Sequence, residues 1–127
     1  MADQSKNILV VEDDATLRYL AKRQIRALGI NCKLATNGAE AVEMVKAEDF
    51  DLIFMDVHMP IMSGIQATQE IRKLESERNL DTYVPIVAMT ANPDREQCYN
   101  AGMNDFAFKP LSLEQMKKLI DRWVARD

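Results

Sequence analysis

The chain has 127 residues, 47% of them hydrophobic and 28% charged, with only four glycines and four prolines. That is enough for one domain with its own core, and the composition excludes a disordered or low-complexity segment. Sixteen Lys and Arg against twenty Asp and Glu leave a net charge of −4, so no broad basic field exists to attract nucleic acid or an anionic membrane.

In chain order, the first expected strand is "ILVV" at 8–11, ending at Glu12 and Asp13. Asp14 stands as the N-cap of a first helix that Gly29 stops. A second strand, "CKLA" at 32–35, leads to a helix capped by Asn37. "DLIFM" at 51–55 is the third strand and runs into Asp56, after which Ser63 and Gln66 have capping-box spacing for helix three. "PIVAM" at 85–89 is the fourth, followed by Thr90. Asn92 with Pro93 behind it reads as the start of helix four, which Gly102 ends. "DFAF" at 105–108 is the fifth strand, followed by Lys109. Ser112 and Gln115 open helix five, where Leu113, Met116, Leu119, Ile120, Trp123 and Val124 recur as one apolar stripe read as core filling.

Strands alternating with helices imply βαβ units and a parallel sheet. Runs one, three and four are nearly continuously apolar, as strands covered on both faces should be, whereas two and five alternate and belong at the edges. With right-handed crossovers the expected fold is α/β, a doubly wound five-stranded parallel sheet of order 2-1-3-4-5, flavodoxin-like, with five helices and one domain over 1–127. The switch point falls between strands one and three, so ligands should bind there at the carboxyl ends.

Cys32 and Cys98 match no metal spacing and are expected as small buried hydrophobes of a reducing compartment. No signal peptide precedes the first strand, and no run approaches the roughly 18 apolar residues of a membrane helix, so the expected location is cytoplasmic, with no membrane partner.

Five side chains are delivered to one rim of such a sheet: Glu12, Asp13, Asp56, Thr90 and Lys109. Three carboxylates that close repel, and a raised pKa or a bound cation must relieve them. Oxygen ligands without Cys or clustered His favour Mg²⁺, which keeps room for a phosphoryl group. Lys109 can pair with anionic oxygens, and the Thr90 hydroxyl or an N–H near Ala91 can donate to them. Asp56 could be a nucleophile, since carboxylates form aspartyl phosphates. Each piece alone is weak: Asp14 reads as a cap rather than a ligand, and the lone His58 as an exposed loop residue. Their joint placement carries the reading.

The motifs "ILVVEDD", "DLIFMDVHMPIMSG", "PIVAMTA" and "AGMNDFAFKPL", in this order, closely resemble the receiver domain of two-component response regulators. The resemblance implies that Asp56 accepts a phosphoryl group from a phosphohistidine on a sensor histidine kinase or histidine phosphotransfer domain, in a Mg²⁺-dependent reaction. It implies Asp13 and Asp56 as metal ligands, Glu12 acting through water, and the backbone carbonyl of His58 as a further protein ligand. Thr90 matches the switch hydroxyl, Lys109 the phosphate-pairing lysine, and Phe106 an aromatic switch without the usual hydroxyl, whose two rotamers would differ by packing alone. A cis bond is implied at Lys109–Pro110, where it costs only about 0.5–1 kcal/mol. Ser63 departs from the Asp of many relatives, and His58 and Asn92 stand at positions that tune phosphoryl lifetime. The implied protein is a phosphoacceptor switch rather than an enzyme on external substrates, presenting helix four, strand five and helix five to a downstream protein target.

The same residues bear on two other readings. A dehalogenase-like phosphohydrolase needs a second acid two residues after its nucleophile, where this chain has His58, and a cap segment, which is missing. A flavodoxin-type carrier needs a hydroxyl-rich phosphate loop after strand one, where "EDDATLR" would repel the flavin phosphate. The chain ends soon after helix five, so the expectation is a stand-alone regulator or a receiver excised from a larger protein. The run "EIRKLESERNLDTYVPIVAMTAN" resembles receivers of hybrid histidine kinases.

Overall fold

A computed structural model of the protein describes residues 3–78, 83–91 and 94–124. Five strands, β1 (Asp3–Val11), β2 (Ile30–Ala35), β3 (Leu52–Asp56), β4 (Ile86–Thr90) and β5 (Asp105–Phe108), alternate with helices α1 (Ala15–Ala27), α2 (Gly38–Ala47), α3 (Gly64–Glu77), α4 (Arg95–Ala101) and α5 (Leu113–Trp123). All strand pairs are parallel and the order is β2-β1-β3-β4-β5, as the apolar patterns implied.

Alternation along the central strands explains the two-faced core. Ile8, Val10, Phe54, Val87 and Met89 face one side and pack with Ile25 of α1 and Met116 and Ile120 of α5. Leu9, Val11, Ile53, Met55 and Ala88 face the other, against Ala41, Ile71 and Cys98 of α2, α3 and α4. Successive residues of a strand point to opposite faces, so a strand covered twice must be apolar throughout. Every residue of β3 and of β4 is buried, while β2 alternates and β5 is partly open. Each such Ile, Leu or Phe contributes about 1.5–3 kcal/mol of burial. Cys32 and Cys98 are free thiols inside this core, and burial pushes Cys32 up to about 12.

The helix ends follow their caps. Asp14 Oδ1 accepts from Leu17 N at 3.0 Å and Asn37 Oδ1 from Glu40 N at 2.9 Å, and Ser63/Gln66 and Ser112/Gln115 both close full capping boxes. Gly29 (φ 80°) and Gly102 (φ 108°) take the left-handed turn that stops α1 and α4. Asn92 and Pro93 lie outside the described residues; α4 is capped instead by Asp94, whose Oδ1 accepts from Gln97 N at 3.1 Å. In α5 the apolar stripe is narrower than its spacing suggested. Leu113, the first residue of the helix, is 46% exposed. Trp123 is half-buried and donates its Nε1–H to Asp105 Oδ2 at 2.9 Å, so its role is partly polar.

A buried polar network braces the opposite end of the sheet from the acidic rim. Glu75, 4% exposed, accepts from Arg72 Nη1 and from Val84 N, each at 2.7 Å. Arg72 also donates to Gly102 O at 2.9 Å and to Asn104 Oδ1 at 2.8 Å, tying α3 to the end of α4. The Lys109–Pro110 peptide is cis.

Candidate functional site

The parallel sheet brings the rim residues together. Asp56 is the last residue of β3, one place further into the strand than the apolar run indicated, and is paired in register with Met89 of β4. Likewise Thr90 closes β4 rather than following it, and its carbonyl accepts from Lys109 N at 3.0 Å. Glu12 extends the β1–β2 ladder by donating its N–H to Ala35 O at 3.1 Å. Glu12, Asp56 and Thr90 are 1%, 2% and 1% exposed, whereas Asp13 is open to solvent.

Carboxylate oxygens of Glu12, Asp13 and Asp56 lie within 4.8 Å of one another. Lys109 Nζ stands 3.0 Å from Glu12 Oε1 and 3.1 Å from Asp56 Oδ2. The second contact is an ion pair without hydrogen-bond direction, and Asp56 Oδ2 has no hydrogen-bond partner of its own. A buried carboxylate oxygen in that position costs free energy. Burial, reinforced by neighbouring Glu12, pushes the Asp56 carboxyl up to about 7. Burial also acts to raise Asp13, but its interactions with Glu12 and Asp56 outweigh it and hold Asp13 below its ordinary value. Burial would lower the Lys109 ammonium; its contacts with Glu12 and Asp56 raise it instead. The Lys109 ammonium offsets part of this crowding, and the oxygen donor set suits a hard divalent cation.

The other expected site residues lie close by in sequence and differ in exposure. His58 is exposed in the turn two residues past Asp56, and Ala91 is exposed directly after Thr90. Phe106 is half-buried in the middle of β5, paired in register with Ala88. Packing alone does not describe its surroundings. The Arg95 guanidinium lies 4.2 Å from its ring centre, and Tyr99 and Phe108 meet the ring edge-on at 6.5 and 6.1 Å. A cation over the ring adds an electrostatic attraction to the packing.

Two residues shape the site that the sequence reading passed over. A Cβ on Gly64 would come 2.0 Å from the carbonyl oxygen of Asp56, and Gly64 N donates to Val57 O at 2.9 Å. Only glycine lets α3 begin so close to this backbone. Arg18, one turn into α1, donates to Glu12 O at 2.9 Å and Asp13 O at 3.3 Å. Between Asp56 and α3, Met62 N reaches back to Pro60 O at 2.7 Å across Ile61, whose φ of 70° is strained for a β-branched residue.

The protein is thus a doubly wound α/β domain with an acidic cluster and a lysine at the switch point of its sheet. The profile of the response regulator receiver domain family matches residues 8–121, and the chain belongs to that family. Among relatives, it is 38% identical over 120 residues to hybrid signal transduction histidine kinase F of Dictyostelium discoideum, covering 92% of this chain and 11% of that one. It is 35% identical over 142 residues to the response regulator mcs4 of Schizosaccharomyces pombe, covering 92% of this chain and 27% of that one. The chain therefore spans only a small part of these relatives. Its fold superposes with a TM-score of 0.89 on the Ssk1 receiver domain of Saccharomyces cerevisiae, crystallised with the histidine phosphotransfer protein Ypd1, at 34% identity and covering 98% and 91% of the two chains. The receiver domain of sensor histidine kinase PA1611 from Pseudomonas aeruginosa, with magnesium in its active-site cleft, gives 0.83 at 37% identity, covering 93% and 96%. Among the described residues, no helix is long and apolar enough to cross a membrane.

Proposed function

We propose that residues 1–127 form one receiver unit in which Asp56 is the phosphoacceptor. The observation that carries this is the Asp56 carboxyl itself, 2% exposed at the end of a central strand, with Lys109 Nζ 3.1 Å from Oδ2 and the Glu12 and Asp13 oxygens within 4.8 Å. An Asp56 carboxylate oxygen attacks the phosphorus of a phosphohistidine, the P–N bond breaks with its electron pair staying on nitrogen, and the imidazole leaves neutral, retaining the proton on its other ring nitrogen, giving an aspartyl phosphate. Asp13, Asp56 and the His58 carbonyl, with Glu12 through water, would hold Mg²⁺, which neutralises charge on the transferring group. Lys109 pairs with a phosphoryl oxygen, and the Thr90 hydroxyl and Ala91 N–H donate to the others.

The donor is a sensor histidine kinase or a histidine phosphotransfer domain, a reading supported by the kinase relatives and by the Ssk1 receiver's partner. The reaction is proposed to take place in the cytoplasm. The domain catalyses its own phosphorylation and dephosphorylation and acts on no other substrate. Drawing Thr90 toward the new anion makes room for Phe106 to turn inward, which shifts the population of the surface formed by α4, β5 and α5 seen by a downstream protein. Incubating the wild type and Asp56→Asn with a phosphorylated histidine phosphotransfer domain and Mg²⁺ tests the assignment. Transfer to the wild type alone is expected, and equal transfer to the variant would refute it.

A further inference from the structure

Arg18 is half-buried on α1, and its two side-chain hydrogen bonds fall on consecutive carbonyls, those of Glu12 and Asp13, at 2.9 and 3.3 Å, while its guanidinium also lies 5.8 Å from the Tyr19 ring centre. These are the two residues whose carboxylates join Asp56 in the cluster. Other bonds already restrain the peptides on either side. Glu12 N donates to Ala35 O at 3.1 Å, Asp14 N donates to Glu12 Oε2 at 3.1 Å, and Asp14 caps α1. Arg18 holds the carbonyl side of the same short stretch and draws it toward α1. With both carbonyl oxygens engaged there, the carboxylates are the groups left to face Asp56.

We propose that Arg18 is a positioning residue for the divalent-cation site, fixing the backbone at 12–13 so that the acidic side chains converge before the ion arrives. The inference rests on the reading of the acidic cluster as a Mg²⁺ site. A planar guanidinium reaches two neighbouring carbonyls from one nitrogen and stays charged throughout, which suits a fixed brace better than an ammonium would. Removing a partner that orients a ligand typically weakens metal binding 10- to 100-fold. As a bare positive charge, however, Arg18 would repel a divalent cation. Positioning and simple electrostatics therefore predict opposite signs for the same substitution.

Calorimetric titration of the full chain with Mg²⁺ separates them. Arg18→Gln is expected to weaken Mg²⁺ about tenfold, and Arg18→Lys to recover part of that loss by reaching one carbonyl. In the metal-free protein, amides 12–14 of Arg18→Gln should exchange with solvent faster than in the wild type while those of β3 and β4 do not. Unchanged or tighter Mg²⁺ binding in Arg18→Gln, or unaltered exchange at 12–14, would overturn the positioning role. Failure of the underlying site reading looks different: the wild type would then bind Mg²⁺ no better than Asp13→Asn and Asp56→Asn.

Discussion

The ammonium of Lys109 stands 3.1 Å from Asp56 Oδ2 and yet leaves the Asp56 carboxyl raised to about 7. Burial and the adjacent Glu12 outweigh the lysine, so the cation-free site stores an unfavourable charge that a proton relieves. Function and stability are linked through that carboxyl.

The linkage has a definite sign. A carboxyl held above its unfolded value keeps a proton in the native state that the unfolded chain has released. Its stabilising contribution is complete below about 3.8 and is lost as pH rises through about 7. Without metal, Asp56→Asn should therefore be more stable than the wild type at pH 8, by on the order of 1–2 kcal/mol, and the gain should vanish toward pH 4. Urea melts in EDTA across that range check this; a gain independent of pH would contradict it.

Magnesium takes the place of the Asp56 proton in this account. Apparent Mg²⁺ affinity should fall by up to about tenfold per pH unit below 7, and binding near neutrality should release protons. Calorimetry in buffers of different ionisation enthalpy measures the proton count directly.

The Arg95 guanidinium, 4.2 Å from the Phe106 ring centre, favours the orientation seen here. Arg95 occupies the first position of α4, where the helix dipole disfavours a cation, and the ring offers a compensating contact. An exposed cation–π pair is worth about 0.5–1 kcal/mol, so Arg95→Gln should shift the ring population toward its alternative about two- to fivefold. The methyl resonance of Ala88, the register partner of Phe106, reports that shift. In a Phe106→Leu background the Arg95 substitution should have no effect on the same signal.

Gly64→Ala places a methyl group 2.0 Å from the Asp56 carbonyl oxygen, a distance only backbone movement can relieve. The expected cost is about 1–3 kcal/mol of stability, with a further loss of Mg²⁺ affinity because the displaced backbone carries the acceptor. Thermal melts and Mg²⁺ titration of the same sample check both.

Much of this was readable before any coordinates. Strand order followed from which apolar runs were continuous, because burial on two faces leaves no polar alternation, and the capping residues of α1, α2, α3 and α5 announced themselves. For α4, Asn92 and Pro93 lie outside the described residues, and the described helix takes its cap from Asp94. Leu113 keeps the helical spacing of the core yet stands exposed at the start of α5. In the site, Glu12, Asp13, Asp56, Thr90 and Lys109 were legible because each ends a strand on the same edge. Arg18, Gly64 and Arg95 were not, because each acts through a carbonyl or a ring brought to it by the fold. Arg18 does stand five residues after Asp13, one helical turn beyond a cap, and that spacing was the available signal.

The central claim is that one carboxyl, that of Asp56, receives the phosphoryl group. Phosphorylating the protein with acetyl phosphate, trapping the acyl phosphate by borohydride reduction and locating the resulting homoserine by tandem mass spectrometry tests this most directly. Homoserine is expected at position 56, formed with Mg²⁺ and absent in EDTA. Homoserine at 12 or 13, or equal yield without the metal, would contradict it.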